Sequence, residues 1–425
     1  MTGTANNRTS QSGATPSGPS QRERDIGVGP NELLVLISAI MALMALGIDL
    51  MLPAFDDIRA AYDLGEGSNR TGQVITVFFL GLAAAQLFYG PLADRFGRKP
   101  VLYAGIVVST LGAVGSALAP SFELLLASRF LWGVGAAGAR VVSTAIIRDR
   151  FVGSTMAKAM SQVMAVFILV PVVAPSIGAG LIAVLPWRSV FWFCVVWSGV
   201  IGLWGLRLNE TLDPAHVRPL SVRSSVAGYR QVARTPITFG YTMATVFIQG
   251  AMTSYLAVSE LIIGEIFDRR AAFPFIFGVV ALGFGVAALV NGRLVERRGI
   301  DRMVTTGFLI NLPFGAVLVA VSVAGDGVPS IWVFIPLLAA MLSTFMLLMP
   351  NLNTAAMTPV GKIAGSASAF TGALRVAGGA ALASVATRWV TDSVTPFAVA
   401  MLVFCAAAAA TVAIVRARAA DRPPS

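Results

Sequence analysis

LLVLISAIMALMALGIDLMLP, residues Leu33 to Pro53, is long and apolar enough to cross a bilayer as one helix. It carries a single charge, Asp49, close to its far end. A carboxylate at that depth costs roughly 2.5–3.5 kcal/mol on insertion scales. The chain has 21 acidic residues, and Asp49 is the one that falls well inside an apolar span. Two readings stand at this point. Asp49 is either a functional acid held in the membrane or a helix-end carboxylate that meets lipid headgroups.

The rest of the 425 residues extend this pattern. The chain is 56% hydrophobic and 12% charged, far from the roughly 25% charged residues of a soluble domain. Such a composition specifies an integral membrane protein. Cys194 and Cys405 both fall in apolar spans, so reduced, buried thiols are expected and no disulfide framework. His216 is the only histidine and lies in a polar connector, which excludes histidine relays and histidine-rich metal sites. No metal and no cofactor are expected. The Ser-, Thr-, Gly- and Asn-rich start reads as a disordered tail. It lacks a basic start followed by a short apolar core, so it does not read as a signal peptide.

Apolar runs of about 20 residues recur twelve times, near 33–53, 73–92, 101–119, 123–147, 159–185, 189–206, 237–258, 272–292, 303–324, 331–350, 363–387 and 395–415. The longest break, about 207–236, is basic and polar. The expected organisation is a cytoplasmic tail (1–31), a six-helix bundle (32–206), a cytoplasmic connector (207–236), a second six-helix bundle (237–415) and a second tail (416–425). With the N-terminus inside, 22 of the 31 Lys and Arg fall on inner segments, six on outer ones, and three are embedded. This asymmetry predicts a multi-pass protein of the cytoplasmic (inner) membrane with both termini in the cytoplasm. It also accounts for the net charge of +10 without nucleic acid.

The halving is supported by an internal repeat. GPLADRFG (Gly90 to Gly97) after span two returns as GRLVERRG (Gly292 to Gly299) after span eight. Glycine, leucine, an acid, arginine and glycine recur in register. The first copy continues to Pro100 as GPLADRFGRKP, a turn at the inner face that Arg95, Arg98 and Lys99 hold inside. A duplicated six-helix unit puts a binding site near the midplane between two halves that rock about it. This motif, its echo and the twelve spans resemble the major facilitator superfamily over residues 32–415. The resemblance implies an all-α major facilitator fold, twelve transmembrane helices in two pseudo-symmetric bundles. It makes Gly90, Asp94, Arg95, Gly97 and Arg98 a gate lock, with Arg98 paired to Asp149 at the end of span four.

Span four, RFLWGVGAAGAR, resembles the superfamily's second motif, with Trp132 where glutamine is usual. Arg129 and Arg140 are eleven residues apart, which places both on one helix face about 16 Å apart. Span five carries Pro171, Pro175 and Gly178, which bend a helix and permit close contact. This resembles the superfamily's antiporter motif, although Ala174 and Ala179 replace its usual glycines. A kinked packing helix unrelated to transport direction is the other reading. DLMLPA (Asp49 to Ala54), Arg148-Asp149, Trp187-Arg188, Asn209-Glu210-Thr211 and GSASA (Gly365 to Ala369) together resemble the bicyclomycin and chloramphenicol resistance branch of drug:proton antiporters. Some of that branch carry a second acid two turns before the Asp49 equivalent; Met41 stands there in this chain.

No GxxxxGK[ST] occurs, so no phosphate loop for ATP is present. The resemblance implies a proton-coupled antiporter exporting drugs or other small amphipathic molecules, expected to act as a monomer in the lipid bilayer. Burial disfavours a carboxylate's charge and a nearby arginine favours it. Asp49 is expected to take up the proton, with Arg129 setting its affinity. The resemblance implies a cavity walled by spans one, four, seven and ten. Met41, Asp49, Arg140, Tyr255, Phe345, Met349 and Arg375 are candidates to line it. Arg375 reads either as a third cavity cation or as a residue paired to a carbonyl near the inner end. Three embedded arginines against one acid would suit neutral or anionic small molecules and disfavour polycations. A proton-coupled carrier for one metabolite or a self-made antibiotic is the alternative function. A receptor or enzyme would need an appended soluble domain or clustered catalytic side chains, and the sequence has neither.

Overall fold

Backbone N–H and C=O groups in hydrocarbon must be paired within their own segment, so an apolar span becomes a helix. A computed structural model, describing residues 27–65, 68–217 and 221–420, has this form. The described residues contain fifteen α-helices and no strand. In chain order they are α1 (Pro30–Asp49), α2 (Phe55–Ala61), α3 (Gln73–Phe96), α4 (Arg98–Leu118), α5 (Phe122–Arg150), α6 (Gly153–Val184), α7 (Ser189–Gly205) and α8 (Val222–Arg234). There follow α9 (Pro236–Glu260), α10 (Phe273–Arg298), α11 (Ile300–Ala324), α12 (Ile331–Ser343), α13 (Phe345–Met357), α14 (Ala364–Ala386) and α15 (Thr395–Ala420).

Eleven helical stretches among the described residues are long and apolar enough to cross a membrane. The sixth expected span is α7, an apolar helix of 17 residues, at the short limit of about 17 for a crossing. The tenth span breaks at Thr344 into α12 and α13. Asn311 of α11 donates there to the Thr344 hydroxyl at 2.6 Å and to the Met341 carbonyl at 3.2 Å, satisfying polar groups that the break exposes. Large apolar side chains such as Val196, Leu203, Leu309 and Trp332 point outward and are more than half exposed. On a membrane protein that surface meets lipid.

The helices α1 and α3 to α7 pack chiefly on one another, as do α9 to α15. Between these two sets, α3 packs on α14 and α9, and α6 packs on α10. The repeat is visible in the backbone. Gly97 (φ 100°, ψ 159°) separates α3 from α4, and Gly299 (φ 76°, ψ 160°) separates α10 from α11. Both sit at positive φ, where a side chain is strained, which explains the terminal glycine of each copy.

The expected connector contains a helix that the basic, polar reading did not anticipate. Apolar residues at 226, 229 and 232 give α8 one apolar stripe. Val232 is buried against Val360 and Ala367. Tyr229 stacks on Phe370 of α14 and donates to the Leu87 carbonyl of α3 at 2.7 Å. The expected tail up to residue 26, the connector residues 218–220 and the C-terminal residues from 421 lie outside the described residues.

Candidate functional site

Asp49 is the last residue of α1, a helix apolar on nearly every face and therefore central. It is 4% exposed. No described residue hydrogen-bonds or ion-pairs with its carboxylate. The Tyr255 phenol of α9 lies within electrostatic reach, and its hydroxyl is also buried without a partner. α6 closes on this point. A side chain at Gly178 would run into the Leu50 carbonyl, so glycine is what lets the proline-containing helix approach α1 here.

Arg129 is fully buried. Its guanidinium lies 4.7 Å from the Phe78 ring centre and 4.7 Å from that of Trp132, and its Nε donates to the Val74 carbonyl at 3.3 Å. Both Nη atoms lack hydrogen-bond partners among the described residues. Trp132 in turn packs under Gly47, two residues before Asp49. Arg129 thus reaches Asp49 through an indole and a helix backbone, and no ion pair joins the two.

At the basic end, Arg98 donates from Nε to Asp149 at 2.9 Å and from Nη1 to Asp94 at 2.6 Å. Glu210 accepts from the backbone N–H groups of Arg98 (2.9 Å) and Lys99 (3.1 Å), so it caps the start of α4, where the helix dipole favours an anion. Gly97 faces that carboxylate with no room for a side chain. Arg95 is exposed, and Gly90 has open space beside it.

A cavity of about 1060 Å³ opens at the same end. Its mouth carries Asp94, Arg98, Asp149 and Glu210, and Tyr229 of α8 contributes to its wall. Deeper residues include Met41, Gln86 and Arg140. Asp49, Tyr255, Phe345, Met349 and Arg375 lie outside this lining. Tyr255 and Phe345 are fully buried. Arg375 is half-buried and close enough to Arg140 for the two charges to act on each other.

The opposite end is shut by a charge cluster that sequence reasoning missed. Arg59 of α2, expected on an outer segment, is 5% exposed. It donates from Nη2 to Glu260 at 3.0 Å, to Glu265 at 3.0 Å and to Asp56, and from Nη1 to the Thr71 hydroxyl at 3.3 Å. Arg270 pairs with Asp56 at 2.8 Å and Glu265 at 2.7 Å. Glu260, at the end of α9, is 4% exposed and is a second deeply buried acid beside Asp49. The available signal was an acid two residues past the apolar limit of span seven. Nearby, the Asn69 amide donates to the carbonyls of Thr387 and Val390, and Gly72 packs on the Ala257 backbone.

Comparison with known proteins agrees with this architecture. The profile of the Major Facilitator Superfamily matches residues 36–383. A bicyclomycin resistance protein homolog of Haemophilus influenzae is 27% identical over 376 residues, covering 86% of this chain and 91% of that one. The multidrug resistance protein MdtL of Salmonella paratyphi B is 34% identical over 197 residues, covering 46% of this chain and 49% of that one. Among solved structures, a D-xylose-proton symporter shares the fold with a TM-score of 0.71 at 12% identity, over 89% of this chain and 97% of that one.

Proposed function

This chain belongs to the Major Facilitator Superfamily, and on that premise we propose that it is a proton-coupled antiporter exporting drugs or other small amphipathic molecules across the cytoplasmic membrane. Membership makes it a multi-pass membrane transporter and not an enzyme. The names of its relatives, a bicyclomycin resistance homolog and a multidrug resistance protein, support drugs as cargo. The basic end is the cytoplasmic end in this reading, with both termini there.

The observation that carries the reading is Asp49, an acid enclosed without a cation or a donor among the described residues, at the closed end of a molecule whose other end is open. An unpaired charge in that setting is costly, and a bound proton removes the cost. Asp49 would therefore take up its proton while the outer side is open. It would carry the proton inward as the Arg59–Glu260 seal forms. The proton then leaves toward the cytoplasm when cargo enters the inner cavity. Because Asp49 lies outside the cavity lining, proton and cargo exclude each other through which side is open, not by sharing one position. Linkage makes that exclusion reciprocal.

Arg129 has a packing role in this scheme, holding Trp132 against Gly47 near the end of α1. Asp94, Arg98 and Asp149 hold the inner ends of α3, α4 and α5 as one rigid piece while the halves tilt. Pro171, Pro175 and Gly178 keep α6 close against the end of α1.

The test is proton movement in everted vesicles. Adding bicyclomycin or chloramphenicol to energised vesicles should release lumenal protons with wild-type protein and release none with Asp49→Asn at equal expression. Equal proton release by both proteins would remove Asp49 from the mechanism.

A further inference from the structure

Pro91 lies inside α3, within the first copy of the repeat. Proline has no N–H to give the carbonyl four residues back, and its ring crowds that carbonyl. The carbonyl so freed is that of Leu87. Tyr229 of α8 donates its hydroxyl to it at 2.7 Å, an ordinary length for an O–H donor. The second copy has Arg293 where the first has Pro91, and α10 has no proline at that point. The freed carbonyl therefore belongs to α3 and not to its counterpart.

The bond joins the two sets of helices. α8 packs chiefly on α9 and α14. Val232 is buried against Val360 and Ala367, the Tyr229 ring stacks on Phe370 with centres 6.1 Å apart, and a side chain at Gly228 would run into Ser366. α8 therefore moves with the second set, whereas Leu87 belongs to the first. The bond sits where the sets meet closely: Gln86, next to Leu87, packs on Gly372 of α14, where a side chain would run into its amide. Tyr229 also stands in the wall of the inner cavity. Closing that cavity carries α8 across α3, so the bond belongs to the form with the inner end open. A contact made in one of two forms favours that form by its own free energy.

We propose that α8 is a strap that holds the inner end open: Tyr229 ties the second half to the proline-freed Leu87 carbonyl of the first, and the tie is released as the inner mouth closes. Tyr229 is thus a positioning residue in the transport cycle. Pro91 has the matching part, freeing the acceptor three residues before Asp94 of the gate motif. The inference goes beyond the export reading and shares with it only the rocking of two halves.

The test is the distance between two spin labels on the purified full-length protein in detergent, without cargo or gradient. Val152→Cys, after α5, and Asn353→Cys, on α13, place the labels on exposed positions of opposite halves at the inner end. Cys194 and Cys405 are buried and do not compete for label. Tyr229→Phe keeps the ring on Phe370 and removes the donor. It should lower the ratio of long to short distances about fivefold, the worth of one net hydrogen bond. Pro91→Ala restores an N–H for the Leu87 carbonyl, so in that background Tyr229→Phe should change the ratio by less than about twofold. Equal ratios in wild type and Tyr229→Phe overturn the proposal, and so does an equal shift in both backgrounds. A lower thermal midpoint with an unchanged ratio would make Tyr229 a packing residue and overturns it as well. If Pro91→Ala does not fold, Tyr229→Phe alone decides the matter. Short distances alone in wild type would show that the inner end does not open, which defeats the strap together with the export cycle. Long distances indifferent to Tyr229 defeat the strap and leave antiport standing.

Discussion

At the residue scale, Asp49 and Arg129 differ in how far the sequence revealed their environment. An acid inside an apolar run is conspicuous, and its burial follows from α1 being apolar on nearly every face. The partner of Arg129 was not legible. Whether a guanidinium meets a carboxylate or two aromatic rings depends on how α3 and α5 pack, and Phe78 is 51 positions away in sequence. Stacking on Phe78 and Trp132 contributes about 2 kcal/mol or more in a desolvated setting. Lysine keeps the charge but cannot stack as a plane. Arg129→Lys should therefore lower the thermal midpoint of the purified protein while leaving the pH profile of cargo binding unchanged. An altered pH profile at unchanged stability would mean that Arg129 acts on the proton directly.

At the scale of elements, the two ends of the molecule are held by different devices. The inner device, Arg98 between Asp94 and Asp149 with Glu210 on the start of α4, was partly legible because its residues lie close together in a repeated motif. The outer device joins Arg59 to Glu260 across 201 positions, and no local pattern announces such a contact. Removing one partner from a buried charge network costs about 3–5 kcal/mol, enough to shift the balance between closed and open forms. Glu260→Gln should loosen the outer seal. Spin labels at Asp57 and Arg269, both exposed, should show a longer distance population in that variant than in wild type; an unchanged distribution would argue that the cluster does not close the gate. Asp94→Asn and Arg98→Ala should slow turnover while preserving cargo affinity, measured by transport rate against equilibrium binding. An affinity loss alone would contradict a role in cycling.

At the scale of the whole molecule, apolar run length forecast the helices closely, because it follows from bilayer thickness. Which face is open was not legible, since two arrangements of the same helices satisfy the same composition. The open end should be the cytoplasmic one. Cys194 and Cys405 are buried, so a cysteine placed at Ser368 on the cavity wall provides a clean reporter. A membrane-impermeant maleimide should label it in everted vesicles and not in intact cells; the reverse pattern would invert the assigned orientation.

The exchange of a proton for cargo through Asp49 is tested most directly by cargo affinity against pH in purified wild type and Asp49→Asn. The compound to use is whichever of bicyclomycin and chloramphenicol binds wild type more tightly. Wild-type affinity should fall as the medium is acidified, by up to about tenfold per pH unit for one linked proton, and the variant's affinity should stay flat over the same range. Parallel pH dependence in the two proteins would contradict exchange at Asp49.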